Sequence, residues 1–194
     1  KIRKNIFFFG NFKKIKTKKL KINNKNFFLV IPEGIYSECE KLFKFSYILA
    51  KKFKRLNFIW RVHPVIDFDK VLQNLKLTKN NLPKNITISS KKFEDDACRC
   101  NYVIYKGSAA VIKSVIMEKY PIYFQSNYEK NFDPIIHTFK KENYVSNEEN
   151  FIALLKKIKN KRYNKTFKNK VISLKKNNFS RPNLKIIKNH LSIK

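Results

Sequence analysis

No run of apolar residues in this chain of 194 residues approaches the roughly 18 that a membrane-spanning helix needs. The basic start also lacks the long apolar stretch and small-residue cleavage site of a secretory leader. Cysteine is scarce. Cys39, Cys98 and Cys100 make an odd number without framework spacing, and no second pair or nearby histidine turns the pair at 98 and 100 into a zinc site. Reduced thiols in a cytosolic protein are the expectation. Acids are few, 14 against 44 Lys and Arg, and none of their groupings resembles a metal site. Glu94, Asp95 and Asp96 are expected on the solvated surface of a short helix. Arginine, the residue preferred for planar phosphate and base contacts, supplies only six of the 44 cations, and no RNA-recognition signature is present. The first residue is Lys1 rather than Met, so the chain is read as part of a longer protein.

What the chain does have is apolar material. Hydrophobic residues make up 43% of it, with 18 Phe and 9 Tyr, enough for a real core and unlike a disordered segment. Its length suits one domain with appendages. The formal net charge of +30 favours an anionic partner, whether nucleic acid, an acidic membrane face or a phosphorylated ligand. The excess is lysine travelling with Asn, Ile and Phe, all residues of AT-rich codons, so compositional bias accounts for it equally well.

Along the chain, apolar runs of strand length alternate with helical periodicity. Residues 1–26 hold a strand candidate at Ile6–Phe9 and a lysine-rich stretch, read as an edge strand or a linker from a preceding domain. Residues 27–160 carry the regular pattern: strands at Phe27–Ile31, Phe58–Val62, Ile86–Ser89, Tyr102–Tyr105 and Ile122–Phe124, with helices at Tyr36–Leu56, Phe68–Leu77 and Phe93–Cys100 and behind Ser108. Tyr144 and Val145 offer a further short strand, and Asn150–Ile158 a helix. Residues 161–194 are read as a basic helix or tail. Strands and helices alternating at this spacing predict right-handed βαβ crossovers. The fold class is α/β, a Rossmann-like open parallel sheet with helices on both faces.

Ligands of such sheets bind at the carboxyl ends of the strands, and the chemically interesting residues fall there. Glu33 and Gly34 follow the first strand, Arg61 and His63 close the second ahead of Pro64, and Gly107 and Ser108 follow the strand at Tyr102. A Gly-Ser turn at a helix start offers free N–H groups, a hydroxyl and the positive end of the helix dipole, a ready phosphate site. Each residue also has a plainer role. Gly107 can simply make the turn and Ser108 cap the helix, Glu33 can be a solvated loop acid, His63 can end a strand, and Arg61 can pair with Glu33 or Asp67. Jointly they favour a site.

Arg61-Val-His63-Pro64, then Asn101-Tyr-Val-Ile-Tyr-Lys-Gly107-Ser108-Ala109-Ala110, then EKYPIYF at 118–124, resembles the C-terminal, donor-binding domain of GT-B glycosyltransferases. The likeness is to bacterial surface-polysaccharide enzymes with His-Pro and Ser motifs: sialyltransferases, Kdo transferases and CDP-glycerol glycerophosphotransferases. It covers Phe27–Phe124. Only one hydroxyl residue stands at the serine motif, and Pro32 replaces one acid of the acid-acid-Gly motif seen in the sialyltransferases. The resemblance implies half of a GT-B fold that binds a nucleotide-activated sugar, CMP- or CDP-linked, with UDP or GDP as alternatives. His63 and Ser108 would hold the donor phosphate, Gly107, Ala109 and Ala110 would offer backbone amides, and Arg61 would add charge. His63 would assist the leaving phosphate and Glu33 would be the candidate base. No metal or other cofactor is implied. The partners would be donor, glycan acceptor, an N-terminal domain of the same protein and, peripherally, an anionic membrane on its cytoplasmic side. A basic α/β module that binds nucleic acid is the alternative from another class.

Overall fold

Phe27-Phe28-Leu29-Val30-Ile31 has no polar residue for either face, a pattern stable only where both faces of a sheet are covered. It forms the central strand β1 (Phe27–Ile31), buried beyond its first residue. The computed structural model of the protein describes residues 26–126, 129–159 and 161–179. The strand candidate at Ile6–Phe9 and the end of the chain from 180 lie outside the described residues.

Five more strands flank β1: β2 (Asn57–Trp60), β3 (Ile86–Ile88), β4 (Tyr102–Tyr105), β5 (Tyr120–Phe124) and β6 (Tyr144–Val145). Their order is β3-β2-β1-β4-β5-β6, and every adjacent pair is parallel. This is the doubly wound order, with its topological switch between β1 and β4. The expected Rossmann-like sheet is therefore present. Pro121 is tolerated inside β5 because β6 is short. Tyr120 N–H donates toward β4, to Asn101 O, and Tyr123 N–H donates toward β6, to Asn143 O. The donor missing at Pro121 thus faces the β6 side, where pairing begins only at Tyr123.

Right-handed crossovers stepping from β1 to β3 put α1 (Tyr36–Lys52) and α2 (Phe68–Asn74) on one face, and those stepping back through β4 and β5 put α4 (Ala110–Ile116) on the other. The crossover between the halves holds α3 (Phe93–Arg99), and α5 (Ile136–Phe139), α6 (Glu148–Ile158) and α7 (Lys161–Phe179) complete the fold. Ring contacts, stacked for α1 and tilted or edge-on for α6, fasten both helices down. Phe43 lies on Trp60, Phe45 on Phe124, and Phe151 packs between Phe28 and Phe45. Burying each such ring stabilises the fold by about 1.5–3 kcal/mol. Although α7 is strongly basic, it buries Phe167, Val171 and Leu174 in the same core, with Phe167 stacked on Tyr120.

Several ends differ from the sequence expectation. The strand expected to run to Val62 stops at Trp60, because the turn closed by Ile66 N–H on His63 O draws the chain away before Pro64. The helix expected to reach Leu77 stops at Asn74, where Lys76 takes a left-handed φ of 55°. The first helix ends at Lys52 rather than Leu56.

Candidate functional site

The loops after β1, β2 and β4 meet at the switch point. Gly107 ends β4 with φ at 74°, a left-handed conformation that disfavours any side chain. A β-carbon there would also lie 2.3 Å from Glu33 Oε2. The Glu33 carboxylate therefore rests directly on the glycine turn, across the gap between β1 and β4. The neighbouring Gly34 has the His63 ring over it: a β-carbon there would stand 3.1 Å from Nδ1 and Cε1, and 3.0 Å from Val65 Cγ2. Two glycines thus let the Glu33 carboxylate rest on the turn after β4 and the His63 ring rest on the loop after β1.

Neighbouring groups hold these loops. The Cys39 thiol, buried in α1, donates to Glu33 O at 3.2 Å. Burial, helped by Glu33 and Glu40, pushes that thiol up to about 12, so it remains a protonated tie. Asp67 N–H donates to the Tyr36 hydroxyl at 3.0 Å, joining the loop after β2 to the start of α1. Val65 N–H points at His63 Nδ1 over a long 3.5 Å. With Nδ1 facing that amide, Nε2 is the ring nitrogen left to donate.

Ser108 sits in the turn ahead of α4, but the helix cap is Ala109, and no side chain caps the helix. The carbonyls of Ser108 and Ala109 accept from Val111 and Ile112, so the turn leads into the helix with the amides of Ala109 and Ala110 ahead of its first bonded residue. Ala109 is exposed and Ser108 half-buried.

Arg61 is placed differently. Its Nη1 donates to Asp96 Oδ2 at 2.9 Å and to Lys91 O at 2.6 Å, and its guanidinium lies over Phe93. Asp96, expected at the solvated surface, is fully buried and also accepts from the Ser89 hydroxyl. The structure gives Arg61 neither of the acids considered from sequence and makes it a brace between β2 and α3.

Two polar clusters at the same end of the sheet were not foreseen. Lys106, between Tyr105 and Gly107, is only 3% exposed and is held by Glu38 and Glu129. Lys41 closes the ring by contacting the same two acids. Burial raises the Glu129 carboxyl, but hydrogen bonds from Lys106, Lys41 and Ser126 outweigh it and bring it down to about 2. The second cluster is Tyr105, Asp133 and Asn143: the tyrosine hydroxyl donates to Asp133 Oδ1 at 2.8 Å and accepts from Asn143 Nδ2 at 3.1 Å. Burial pushes the Asp133 carboxyl up. Among the described residues, no three His, Cys, Asp or Glu side chains gather as metal ligands. No described helix is long and apolar enough to cross a membrane. Two cavities lie away from these loops, about 1140 Å³ at the amino ends of the strands and about 540 Å³ between α1 and the start of α6.

No family model and no curated protein sequence matches the chain. Solved structures do. The C-terminal CMP-Kdo binding domain of WaaA from Acinetobacter baumannii aligns over 78% of this chain and 90% of its own length, with 12% identity and a TM-score of 0.52. The glycotransferase of kitacinnamycin aligns over 94% of this chain and 47% of its own length, with 9% identity and a TM-score of 0.61. A variant of TarM from S. aureus, in complex with fondaparinux, alpha-GlcNAc-glycerol and UDP, aligns over 97% and 39%, with 16% identity and a TM-score of 0.60. At these identities the likeness is one of fold, the open Rossmann-like α/β fold of GT-B glycosyltransferases. The chain spans less than half the length of the latter two.

Proposed function

We propose that this chain is the donor-binding half of a glycosyltransferase of cell-surface polysaccharide synthesis, holding a nucleotide-activated sugar, cytidine-linked, at the β1–β4 switch point. The observation that carries this reading is that the loops after three strands touch, the Glu33 carboxylate on the Gly107 turn and the His63 ring on the neighbouring Gly34. The donor phosphate lies over the turn at Ser108, taking the amides of Ala109 and Ala110 and the Ser108 hydroxyl, with His63 Nε2–H as a further donor. These groups stabilise the charge that grows on the phosphate as the bond from the anomeric carbon to phosphate oxygen breaks. The acceptor oxygen bonds to that carbon, its proton passes to a carboxylate, and the nucleotide leaves with the bonding pair. Glu33 fits that proton-accepting role better than phosphate binding, because a carboxylate against Gly107 repels an anion there. Arg61 is committed to Asp96 and is left out of the phosphate site. The acceptor and the other wall of the cleft belong to a second domain, and the domain works on the cytoplasmic side.

The reading as a nucleic-acid module has less support. Among the described residues, the large rings Phe28, Phe43, Phe58, Trp60, Tyr105 and Tyr123 are all buried, and Phe132 is the one Phe, Tyr or Trp ring that is exposed. Calorimetric titration of CMP, CDP and UDP into the full-length protein tests the proposal. Cytidine-selective binding that His63→Ala and Ser108→Ala each weaken at least tenfold supports it. Binding indifferent to both variants refutes it.

A further inference from the structure

The basic charge is distributed unevenly along the strand direction. Of the 14 Asp and Glu, only Glu118 and Glu142 stand in the segments that lead into strands, and Lys170 neutralises Glu142 at 2.6 Å. At that same end Lys54 and Arg55 precede β2, Lys84 precedes β3, Arg99 precedes β4 and Lys119 precedes β5. None of these cations forms an ion pair with a described acid. The end of the sheet opposite the candidate site is therefore a face of uncompensated positive charge.

A cavity of about 1140 Å³ opens on this face beneath α6 and α7. Its walls are apolar, formed by Leu56, Leu155, Ile158, Phe167, Val171 and Ile172, and amines of Lys119, Lys159 and Lys168 stand around them. Ile172 is 66% exposed, although it belongs to a helix whose other surface residues are mostly polar. Lys119 is half-buried, and desolvation lowers its ammonium pKa despite the opposing pull of Cys98, Cys100 and Glu118. Glu118 is the one acid of the lining, set against these three amines, so the apolar slot keeps a net positive rim, complementary to a molecule with a hydrocarbon chain and an anionic head.

We propose that this face docks on an anionic phospholipid membrane, with the lysines at the phosphate headgroups and Ile172 and the cavity taking acyl chain. Membrane binding by peripheral proteins takes two signals, apolar insertion and basic attraction, and both occur here on one surface. A nucleic acid would use the charge but not the slot: the rings nearest it, Tyr102, Tyr120 and Phe167, are less than one-tenth exposed and offer bases little to stack on. A wholly polar phosphate ligand would leave the apolar walls in water. The inference is independent of the donor-binding reading, since the two surfaces lie at opposite ends of the strands. It orients the molecule with the crevice turned to the aqueous side.

The test is sedimentation of the full chain with phosphatidylcholine vesicles, with and without phosphatidylglycerol, alongside fluorescence of an Ile172→Trp variant. Binding is expected only with the anionic lipid. It should fall about fivefold for each of Lys119→Gln, Lys159→Gln and Lys168→Gln and about tenfold for Ile172→Asp. The indole added by Ile172→Trp should shift blue and be quenched by brominated acyl chains, whereas Trp60, fully buried, stays constant and reports the fold. Four results would overturn the proposal: equal binding to neutral vesicles, binding that Ile172→Asp leaves unchanged, displacement of the vesicles by a single-stranded oligonucleotide, or an added indole already shielded without lipid, which would mean that the chain itself covers the slot.

Discussion

Replacing Gly107 with alanine perturbs the candidate site at its narrowest point. The residue sits at φ 74°, where an L-residue costs roughly 1–2 kcal/mol. The added methyl would also occupy space 2.3 Å from Glu33 Oε2 and 2.5 Å from its Cδ, about an ångström inside ordinary contact. A glutamate end is flexible, so that clash is relieved by moving the carboxylate rather than the backbone. The stability cost is therefore mostly the dihedral part, about 1–2 kcal/mol, which for a domain of this size lowers Tm by a few degrees at about 2–4 °C per kcal/mol. The functional cost is larger, because the turn that presents the Ala109 and Ala110 amides to the phosphate is strained, while eviction of the carboxylate bears on proton acceptance rather than on nucleotide affinity. The assay is urea unfolding together with nucleotide titration on Gly107→Ala, Glu33→Ala and the double variant. Gly107→Ala and the double variant should lose similar stability, Glu33→Ala little, and nucleotide affinity should drop at least tenfold in Gly107→Ala. A Gly107→Ala protein as stable as the parent and unchanged in affinity would refute both the strain argument and the placement of the phosphate.

Other expectations follow from the same contacts. Arg61→Ala strips the counter-charge from a fully buried Asp96, and losing one member of a buried pair costs about 3–5 kcal/mol. Thermal unfolding should show this, while nucleotide affinity measured well below the transition stays unchanged. Glu129 has a depressed carboxyl near 2 against an ordinary 4.5, so its contribution is present above pH 4.5 and lost as pH falls toward 2. The stability gap between the parent and Glu129→Gln, on the order of 1–2 kcal/mol after solvent screening, should close over that window. A gap constant with pH would show the ring of Lys41, Glu38, Lys106 and Glu129 to be electrostatically idle. Cys39 and Cys100 are buried and each pushed up to about 12, so iodoacetamide at pH 8 should label neither until the protein is unfolded.

Much of the fold was legible because parallel strands buried on both faces must be nearly continuous apolar runs, as Phe27–Ile31 and Tyr102–Tyr105 are. The approach of Glu33, Gly34, His63 and Gly107 followed from strand ends alone, since the topology delivers them to one edge whatever their side chains do. What escaped depends on neighbours distant in sequence. The burial of Asp96 needed the partner at Arg61, although its place three residues after Phe93 and four before Cys100 put it on the inward stripe of α3. Lys106 carries a local signal, a lysine closing an all-apolar strand, yet its two acids lie in α1 and beyond β5. The Tyr105–Asp133–Asn143 cluster joins segments nearly forty residues apart in sequence, with |i−j| of 38 for its longest bond, and leaves no local pattern. Ser108 misses the cap position because the left-handed Gly107 delays the helix to Ala110.

The central claim is that a nucleotide phosphate sits at the β1–β4 switch point. The most direct measurement is an amide proton–nitrogen correlation spectrum of the protein titrated with CMP. The account predicts saturable shifts confined to Gly34, His63 and Gly107 through Ala110. Shifts centred on Lys119 and Lys168 at the other end of the sheet, or none at saturating nucleotide, would contradict it.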